Sequence, residues 1–231
     1  MANAVCQLSH LMSAPPEHFD IILRHVFRYL NGTDGAKLTY KRDGDNVLFG
    51  CVDASWGDHK DSRRSTTGYV FFLNGSPISW TSKLQRQVAL SSVEAEFVAL
   101  QHAIQEATFL RKVLKELGCS QSGPTVIFED NNGAASLADH PTSHSRTKHI
   151  DIRRKWLNEQ LHGSQPAVCV KRVDSLDNMA DIFTKPIDGK RHRELCARMF
   201  GSDIFDSPAD GKRRRGIAGI CARTFGCGCL F

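Results

Sequence analysis

Four acidic side chains stand in segments where a buried carboxylate is costly. They are Asp53 at the end of VLFGCVD, Glu96 at the start of an apolar helix pattern, Asp130 closing TVIFED, and Asp181 within MADIF. Any one of them alone is typical of a helix cap or a satisfied polar residue. Strand ends and helix starts of an α/β domain meet at one edge of the sheet, so the four together predict a single carboxylate-rich pocket.

A pocket of this kind has a specific chemistry. Crowded carboxylates repel one another, so they are tolerated when some are protonated or when metal ions neutralise them. Oxygen ligands suit Mg²⁺, with Mn²⁺ as a possible substitute. Two such ions about 4 Å apart clamp the attacking water and the leaving oxygen of a phosphodiester. The pattern therefore predicts metal-assisted phosphodiester hydrolysis.

Only one of two neighbouring glutamates can face this pocket. Residues two apart on a helix point about 200° apart. Glu96 lies beside Phe97 and Leu100 on the apolar side, which predicts that it faces the sheet. Glu94 falls on the outer side, where its carboxylate would complement the helix N-terminus after Ser91.

The elements that would position these acids follow from the apolar patterns. Turn signals at Asp43-Gly44 and Asn74-Gly75 predict three antiparallel strands, with Val47, Phe49, Cys51 and Asp53 on one face. A long helix ending at Gly118, a buried strand in TVIFED, two helices, the strand AVCVKRV and a short helix in NMADIFTKPI follow. An amphipathic helix in PEHFDIILRHVFRYLNGT precedes them. The order β-β-β-α-β-α-α-β-α predicts an α/β fold, a mixed sheet flanked by helices.

Composition sets wider limits. The 231 residues carry a net charge of +5, which suits a polyanionic partner without requiring one. No apolar run approaches the ~18 residues that cross a bilayer, and the N-terminus lacks the features of a signal peptide. We therefore expect an intracellular protein with reduced thiols, in the cytoplasm or the nucleus. The basic run 212–215 is either a nuclear localisation signal or part of a solvated tail.

Several motifs carry a family resemblance. VDASW, RRSTTGY, ISWTSKLQ, SSVEAEFVAL, EDNNGAA, HSRTKHIDIR and ADIFTKP occur in this order over about residues 45–190. They resemble the ribonuclease H domain of Ty1/copia-type LTR retrotransposon polyproteins. HFDIILRHVFRYLNGT is similar to the segment that joins reverse transcriptase to ribonuclease H in that family. The resemblance implies a ribonuclease H-like fold with five strands. It also implies Mg²⁺-dependent endonucleolytic cleavage of the RNA strand of RNA–DNA hybrids, leaving 3′-hydroxyl and 5′-phosphate ends.

The resemblance also assigns roles to the four acids. It implies that Asp53 and Asp130 bind both of two metal ions. Glu96 would hold the ion on the leaving-group side, and Asp181 would hold the ion beside the attacking water. The site would thus contain the complete set of four carboxylates.

Basic residues would bind the RNA–DNA hybrid through its phosphates and 2′-hydroxyls, because A-like duplexes are recognised by shape. The candidates are Arg63, Arg64, Arg146, Lys148, His149 and Lys185. For Arg146, Lys148 and His149 a solvated surface role is an equal alternative. Trp56 and Trp80 are expected in the core rather than in base stacking.

The expected organisation has three parts. Residues 1–36 would be a remnant of the connecting segment, 37–190 the ribonuclease H-like domain, and 191–231 a partly disordered extension. No Y-x-D-D motif of a reverse transcriptase is present, so we expect a fragment whose parent polyprotein would supply the reverse transcriptase partner. The alternative is a catalytically silent relic or a domesticated nucleic-acid-binding module. A transposase or Holliday resolvase would share the fold, but the motifs argue against it.

Overall fold

The computed structural model describes residues 1–13, 15–17, 19–33, 36–40, 44–139 and 148–201. The strands are β1 (Leu48–Ser55), β2 (Thr66–Leu73), β3 (Ser76–Leu84), β4 (Thr125–Glu129) and β5 (Val168–Arg172). The helices are α1 (Ala2–Leu11), α2 (Phe19–Gly32), α3 (Ser92–Glu116), α4 (Asn132–Asp139), α5 (Lys148–His162), α6 (Asp181–Thr184) and α7 (Gly189–Phe200). A short 3₁₀ turn, Ser175–Asp177, precedes α6.

The five strands form one mixed sheet in the order β3-β2-β1-β4-β5. The first three strands are antiparallel neighbours, and β4 lies parallel to both β1 and β5. Asn74 and Gly75 have φ values of 52° and 73°, as the tight turn between β2 and β3 requires. The order of elements from β1 to α6 matches the expected one, and the expected mixed five-stranded sheet flanked by helices is confirmed.

Strand alternation separates two hydrophobic cores. Leu48 and Val52 of β1 face the core under α3 and α5, whereas Phe49 and Cys51 face the core under α6 and α7. Ile104 of α3 is fully buried in the first core. Burial of each large apolar side chain contributes about 1.5–3 kcal/mol, so these two cores fix the helices on both faces of the sheet.

Some expected elements differ from the structure. Lys37–Tyr40 is not a strand, and Asp43 lies outside the described residues. The helix expected before the sheet is present as α2, but none of its described residues is buried. Ile22 and Val26 on its apolar side are half-buried, and the Tyr29 ring lies 5.5 Å from the His192 ring of α7, so this side packs only partly against the rest of the described structure.

Helices α1 and α7 were not expected. Leu195 and Met199 of α7 are buried in the second core, and Leu8 of α1 is also buried. The three-part domain division stays a prediction, but α7 runs across the boundary proposed at residue 190. Most of the extension beyond it, residues 202–231, lies outside the described residues.

Candidate metal centre

Three carboxylates converge at one edge of the sheet. Asp53, Glu96 and Asp130 each offer an oxygen, and these oxygens all lie within 4.8 Å of one another. Asp53 and Asp130 are neighbours because the parallel strands β1 and β4 end side by side, with Cys51 in register with Phe128. Asp53 is fully buried and Glu96 is 7% exposed. The structure therefore brings together three of the four acids in one cluster.

Local bonds fix the start of α3 and with it Glu96. The Ser91 hydroxyl accepts the backbone N–H of Glu94 at 3.1 Å, and the Glu94 carboxylate accepts the N–H of Leu90 at 2.7 Å. The buried Gln85 donates to the carbonyl of Ala95 at 2.9 Å. Glu94 is exposed and acts as a cap, as the helix geometry predicted, while Glu96 points to the sheet.

Lys185 connects Asp181 to the cluster by ion pairs with Asp181 and Asp53. The Lys185 ammonium lies 2.8 Å from Asp181 Oδ1 and 3.1 Å from Asp53 Oδ1. The Thr184 hydroxyl donates to Asp53 Oδ2, and Arg191 lies 3.9 Å from Asp181 Oδ2. Asp181 is thus beside Asp53, although it is not part of the three-oxygen cluster. Lys185, expected to bind nucleic acid, pairs with two carboxylates here, and its contact with nucleic acid stays a prediction.

A glycine lets α6 approach the sheet this closely. Gly68 of β2 is the antiparallel partner of Asp53. A Cβ atom at this position would lie 2.6 Å from Thr184 Cγ2 and 2.8 Å from Phe183 Cβ. The loop before α6 is tied to β1 as well, because Asn178 donates to the Val52 carbonyl at 2.8 Å. The glycine of the RRSTTGY motif thus has a steric role in positioning the site.

Glu129 is a further carboxylate that sequence reasoning missed. It is the last residue of β4 and is fully buried. Its Oε1 accepts the N–H of Asn131 at 3.0 Å, but its Oε2 has no partner among the described residues. Alternation places it with Ile127 on the α3 face, where Glu96 also lies. The signal was available, since TVIFED ends in two acids and not one.

Burial makes these carboxyls hard to ionise. The pKa of Glu96 is raised from 4.5 to about 10, first by burial and then by the charges of Glu129, Asp53 and Asp130. The pKa of Glu129 is raised to about 8, again mainly by burial. The N–H of Asn131 acts in the opposite direction. Ionising all of these carboxyls would give the cluster an excess of negative charge that the surrounding protein does not compensate.

Lys185 compensates part of this charge. Burial raises the pKa of Asp53, and the Lys185 ammonium and the Thr184 hydroxyl oppose this rise. Burial alone would lower the pKa of Lys185, but the carboxylates of Asp53 and Asp181 raise it above its ordinary value. Lys185 and Arg191 therefore offset the two carboxylates on the Asp53–Asp181 side, whereas Glu96 and Glu129 form no ion pair among the described residues.

The donor set fits a hard divalent cation. Glu96 Oε2 and Glu129 Oε2 are buried without a hydrogen-bond partner among the described residues, which is costly for carboxylate oxygens. Mg²⁺ and Mn²⁺ prefer carboxylate oxygens of this kind. Burial is the main cause of the raised pKa of Glu96, and a cation held by Asp53, Glu96 and Asp130 would neutralise the charge repulsion that adds to it.

The other expected nucleic-acid contacts are only partly described. Arg63 and Arg64 lie in the loop that follows β1, at the same end of the sheet as Asp53. Lys148 and His149 lie in the first turn of α5, with side chains outside the described part of the structure. Arg146 lies wholly outside the described residues. Their contact with nucleic acid stays a prediction.

The two tryptophans differ from expectation. Trp56 is 53% exposed and Trp80 is 49% exposed, so the expected core positions are wrong. The Trp56 indole N–H donates to the Ala89 carbonyl at 3.0 Å, which links the end of β1 to the segment before α3. A hydrogen bond at the surface, rather than core packing, holds this side chain.

Curated relatives match most of the chain. A retrovirus-related Pol polyprotein from transposon TNT 1-94 of Nicotiana tabacum is 36% identical over 87% of this chain and 15% of its own length. The Pol polyprotein from transposon RE1 of Arabidopsis thaliana is 38% identical over 81% of this chain and 13% of its own length. The chain thus spans about one seventh of these relatives. The secreted RxLR effector protein 161 of Plasmopara viticola is 49% identical over 48% of this chain and 78% of that protein.

Solved structures show more distant similarity. LC11-RNase H1, isolated from compost by a metagenomic approach, has a TM-score of 0.45 at 12% identity. It covers 60% of this chain and 93% of its own. No protein-family model matches the chain. Among the described residues, no helix combines the length and apolar character needed to cross a membrane.

Proposed function

Because the chain belongs to the Ty1/copia-type retrotransposon Pol polyproteins as a short segment of them, we propose that it is a ribonuclease H. The proposed reaction is endonucleolytic cleavage of the RNA strand of an RNA–DNA hybrid, with divalent metal ions bound. Residues 37–190 would form the catalytic domain. In a parent polyprotein the reverse transcriptase portion would be its partner.

One observation carries this proposal. The oxygens of Asp53, Glu96 and Asp130 lie within 4.8 Å of one another, and Glu96 Oε2 is buried without a partner among the described residues. A buried acid that serves only structure would have local donors for both oxygens, as Asp53 has in Thr184 and Lys185. Glu96 Oε2 has none among the described residues, so a cation is the proposed partner and the arrangement favours a metal-binding site over three separate caps.

The chain's own groups have distinct proposed tasks. Asp53, Glu96 and Asp130 would hold Mg²⁺ or Mn²⁺, with Asp181 as the fourth carboxylate. Bound divalent ions lower the pKa of a coordinated water and stabilise charge on the leaving oxygen of a phosphodiester. The hydrogen bond from Thr184 orients Asp53 on its side facing α6. The loop containing Arg63 and Arg64 would contact hybrid phosphates at the same end of the sheet.

The test uses the full chain and a labelled RNA–DNA hybrid with Mg²⁺ or Mn²⁺. We expect cleavage in the RNA strand only. Asp130→Asn keeps the size of the side chain but removes one oxygen ligand. We expect it to lower the cleavage rate by at least about a hundredfold, the scale on which single charged groups act in active sites.

A matched control separates the site from general acidity. Glu116→Gln changes an exposed carboxylate at the far end of α3 and should leave cleavage unchanged. Hybrid binding is measured for every variant. Binding by a folded wild-type protein without cleavage, in either metal, would refute the enzyme and support the silent binding module. Cleavage that survives Asp130→Asn would indicate a contaminating nuclease.

A further inference from the structure

The Lys185 ammonium lies in the gap between two carboxylates of the proposed site. Its Nζ is 3.1 Å from Asp53 Oδ1 and 2.8 Å from Asp181 Oδ1. The two contacts tie β1 to the end of α6. Asp53 and Lys185 are 132 residues apart along the chain. The lysine thus supplies the positive charge that these two acids would otherwise take from a bound cation.

An ammonium and a divalent ion cannot share this gap. Mg²⁺ lies about 2.0–2.1 Å from its oxygen ligands, so an ion bound to both oxygens would sit between them, where Nζ lies. Two cations so close together would also repel each other strongly. A second metal ion on this side of the site therefore requires Lys185 to leave.

The lysine is free to leave, and the carboxylates are not. The Lys185 side chain is 40% exposed, whereas those of Asp53 and Asp181 are 0% and 13% exposed. The second oxygen of Asp53 accepts the Thr184 hydroxyl, and Arg191 lies 3.9 Å from the second oxygen of Asp181. Both acids would thus keep their places when the long, flexible lysine swings toward solvent.

We propose that Lys185 is a built-in competitor of one divalent cation. The proposal rests on the metal-dependent function above and refines it. Without metal, the lysine neutralises the Asp53–Asp181 gap. The three-oxygen cluster of Asp53, Glu96 and Asp130 takes the first divalent ion. The gap takes a second ion only at a higher concentration, when Lys185 is displaced.

The test is a calorimetric titration of the full chain with Mg²⁺, repeated with Mn²⁺. It compares wild type with Lys185→Gln, which removes the charge, and Lys185→Arg, which keeps it. Lys112→Gln removes an exposed lysine near the far end of α3 and controls for net charge. We expect Lys185→Gln to bind the second ion at least about tenfold more tightly than wild type. Lys185→Arg and Lys112→Gln should resemble wild type.

Each outcome bears on one proposal. If wild type binds an ion and Lys185→Gln binds a second one no more tightly, the competitor role is refuted and the metal site stands. If Lys185→Arg tightens binding as much as Lys185→Gln does, charge is not the cause and the role is refuted. If no variant binds either ion, both proposals fail. If Lys185→Gln folds only when metal is bound, the Mg²⁺ concentration that restores its folding replaces the calorimetric affinity in the comparison with wild type.

Discussion

Replacing Glu129 with glutamine tests the electrostatic cost of the acidic cluster. The amide has the size of the carboxylate and can still accept the N–H of Asn131 with its oxygen. Its NH₂ group can donate toward Glu96, whose Oε2 has no partner among the described residues. Since glutamine carries no charge, the variant should be more stable than wild type when no metal is bound and the pH is high.

The size of the gain follows from the shift in pKa. The pKa of the Glu129 carboxyl rises from 4.5 to about 8 on folding, mainly because of burial. The folded protein therefore binds this proton more tightly than the unfolded chain does. The contribution of the Glu129 carboxyl to stability is therefore highest below about pH 4.5. It falls as the pH rises toward about 8 and is level above that. At about 1.4 kcal/mol per pKa unit, the ceiling is about 5 kcal/mol.

Relaxation of the cluster reduces this ceiling. Buried sites respond as if their effective dielectric constant were well above that of dry protein, so we expect a gain of about 2 kcal/mol at pH 9. For a chain of this size that corresponds to a rise of about 4–8 °C in melting temperature. At pH 5 the two proteins should melt within about 2 °C of each other.

The assay is thermal unfolding followed by circular dichroism, in EDTA, from pH 5 to pH 9. The control is Glu94→Gln, which weakens an exposed helix cap and should lower the melting temperature by a similar amount at every pH. Parallel curves of melting temperature against pH for wild type and Glu129→Gln would show that Glu129 ionises freely. That result would refute the electrostatic reasoning.

Two further predictions concern the packing that positions the site. Gly68→Ala places a Cβ within 2.6 Å of Thr184 and should cost about 1–3 kcal/mol while weakening Mg²⁺ binding. Chemical denaturation measures the loss of stability, and calorimetry measures Mg²⁺ binding. The control is Gly123→Ala, where an added Cβ meets no atom within 4 Å. Equal effects of the two substitutions would contradict the steric role of Gly68. Leu195→Ala should cost about 2–5 kcal/mol if α7 belongs to the folded unit, measured by urea denaturation. The control is Leu176→Ala, at a side chain that is 77% exposed, which should change the free energy of unfolding little. If Leu195→Ala had an equally small effect, α7 would not be part of the core.

The sequence predicted the positions that local patterns determine. Asp53 follows Phe49 and Cys51 at period two, so its face of the sheet could be assigned before its neighbours were known. The prediction that Glu96 rather than Glu94 faces the sheet followed from the angle between residues on a helix, and it agrees with the burial of Glu96; the role of Glu96 in the site stays a prediction. Asn74 and Gly75 identified a turn by backbone chemistry alone.

The sequence could not predict the pairings made over long distances. Lys185 lies four residues after Asp181 on the chain, but its contact with Asp53 depends on how closely α6 approaches β2. That approach is set by the absent side chain of Gly68. The buried positions Leu195 and Met199 do lie on one face of a helix, yet the many basic residues around them masked the pattern. A partly disordered extension was expected from residue 191 onward, where tertiary packing made a helix up to Phe200.

The acidic cluster links the stability of the metal-free protein to its affinity for metal. The physical argument predicts that the two quantities change in opposite directions. A carboxylate that repels its neighbours lowers the stability of the free protein, and the same repulsion is relieved when a cation binds. Asp130→Asn should therefore raise stability in EDTA and weaken cation binding. Lys185→Gln removes a compensating charge, so it should lower stability in EDTA and tighten cation binding. If the two substitutions moved both quantities in the same direction, the acids would not be acting as one electrostatic unit.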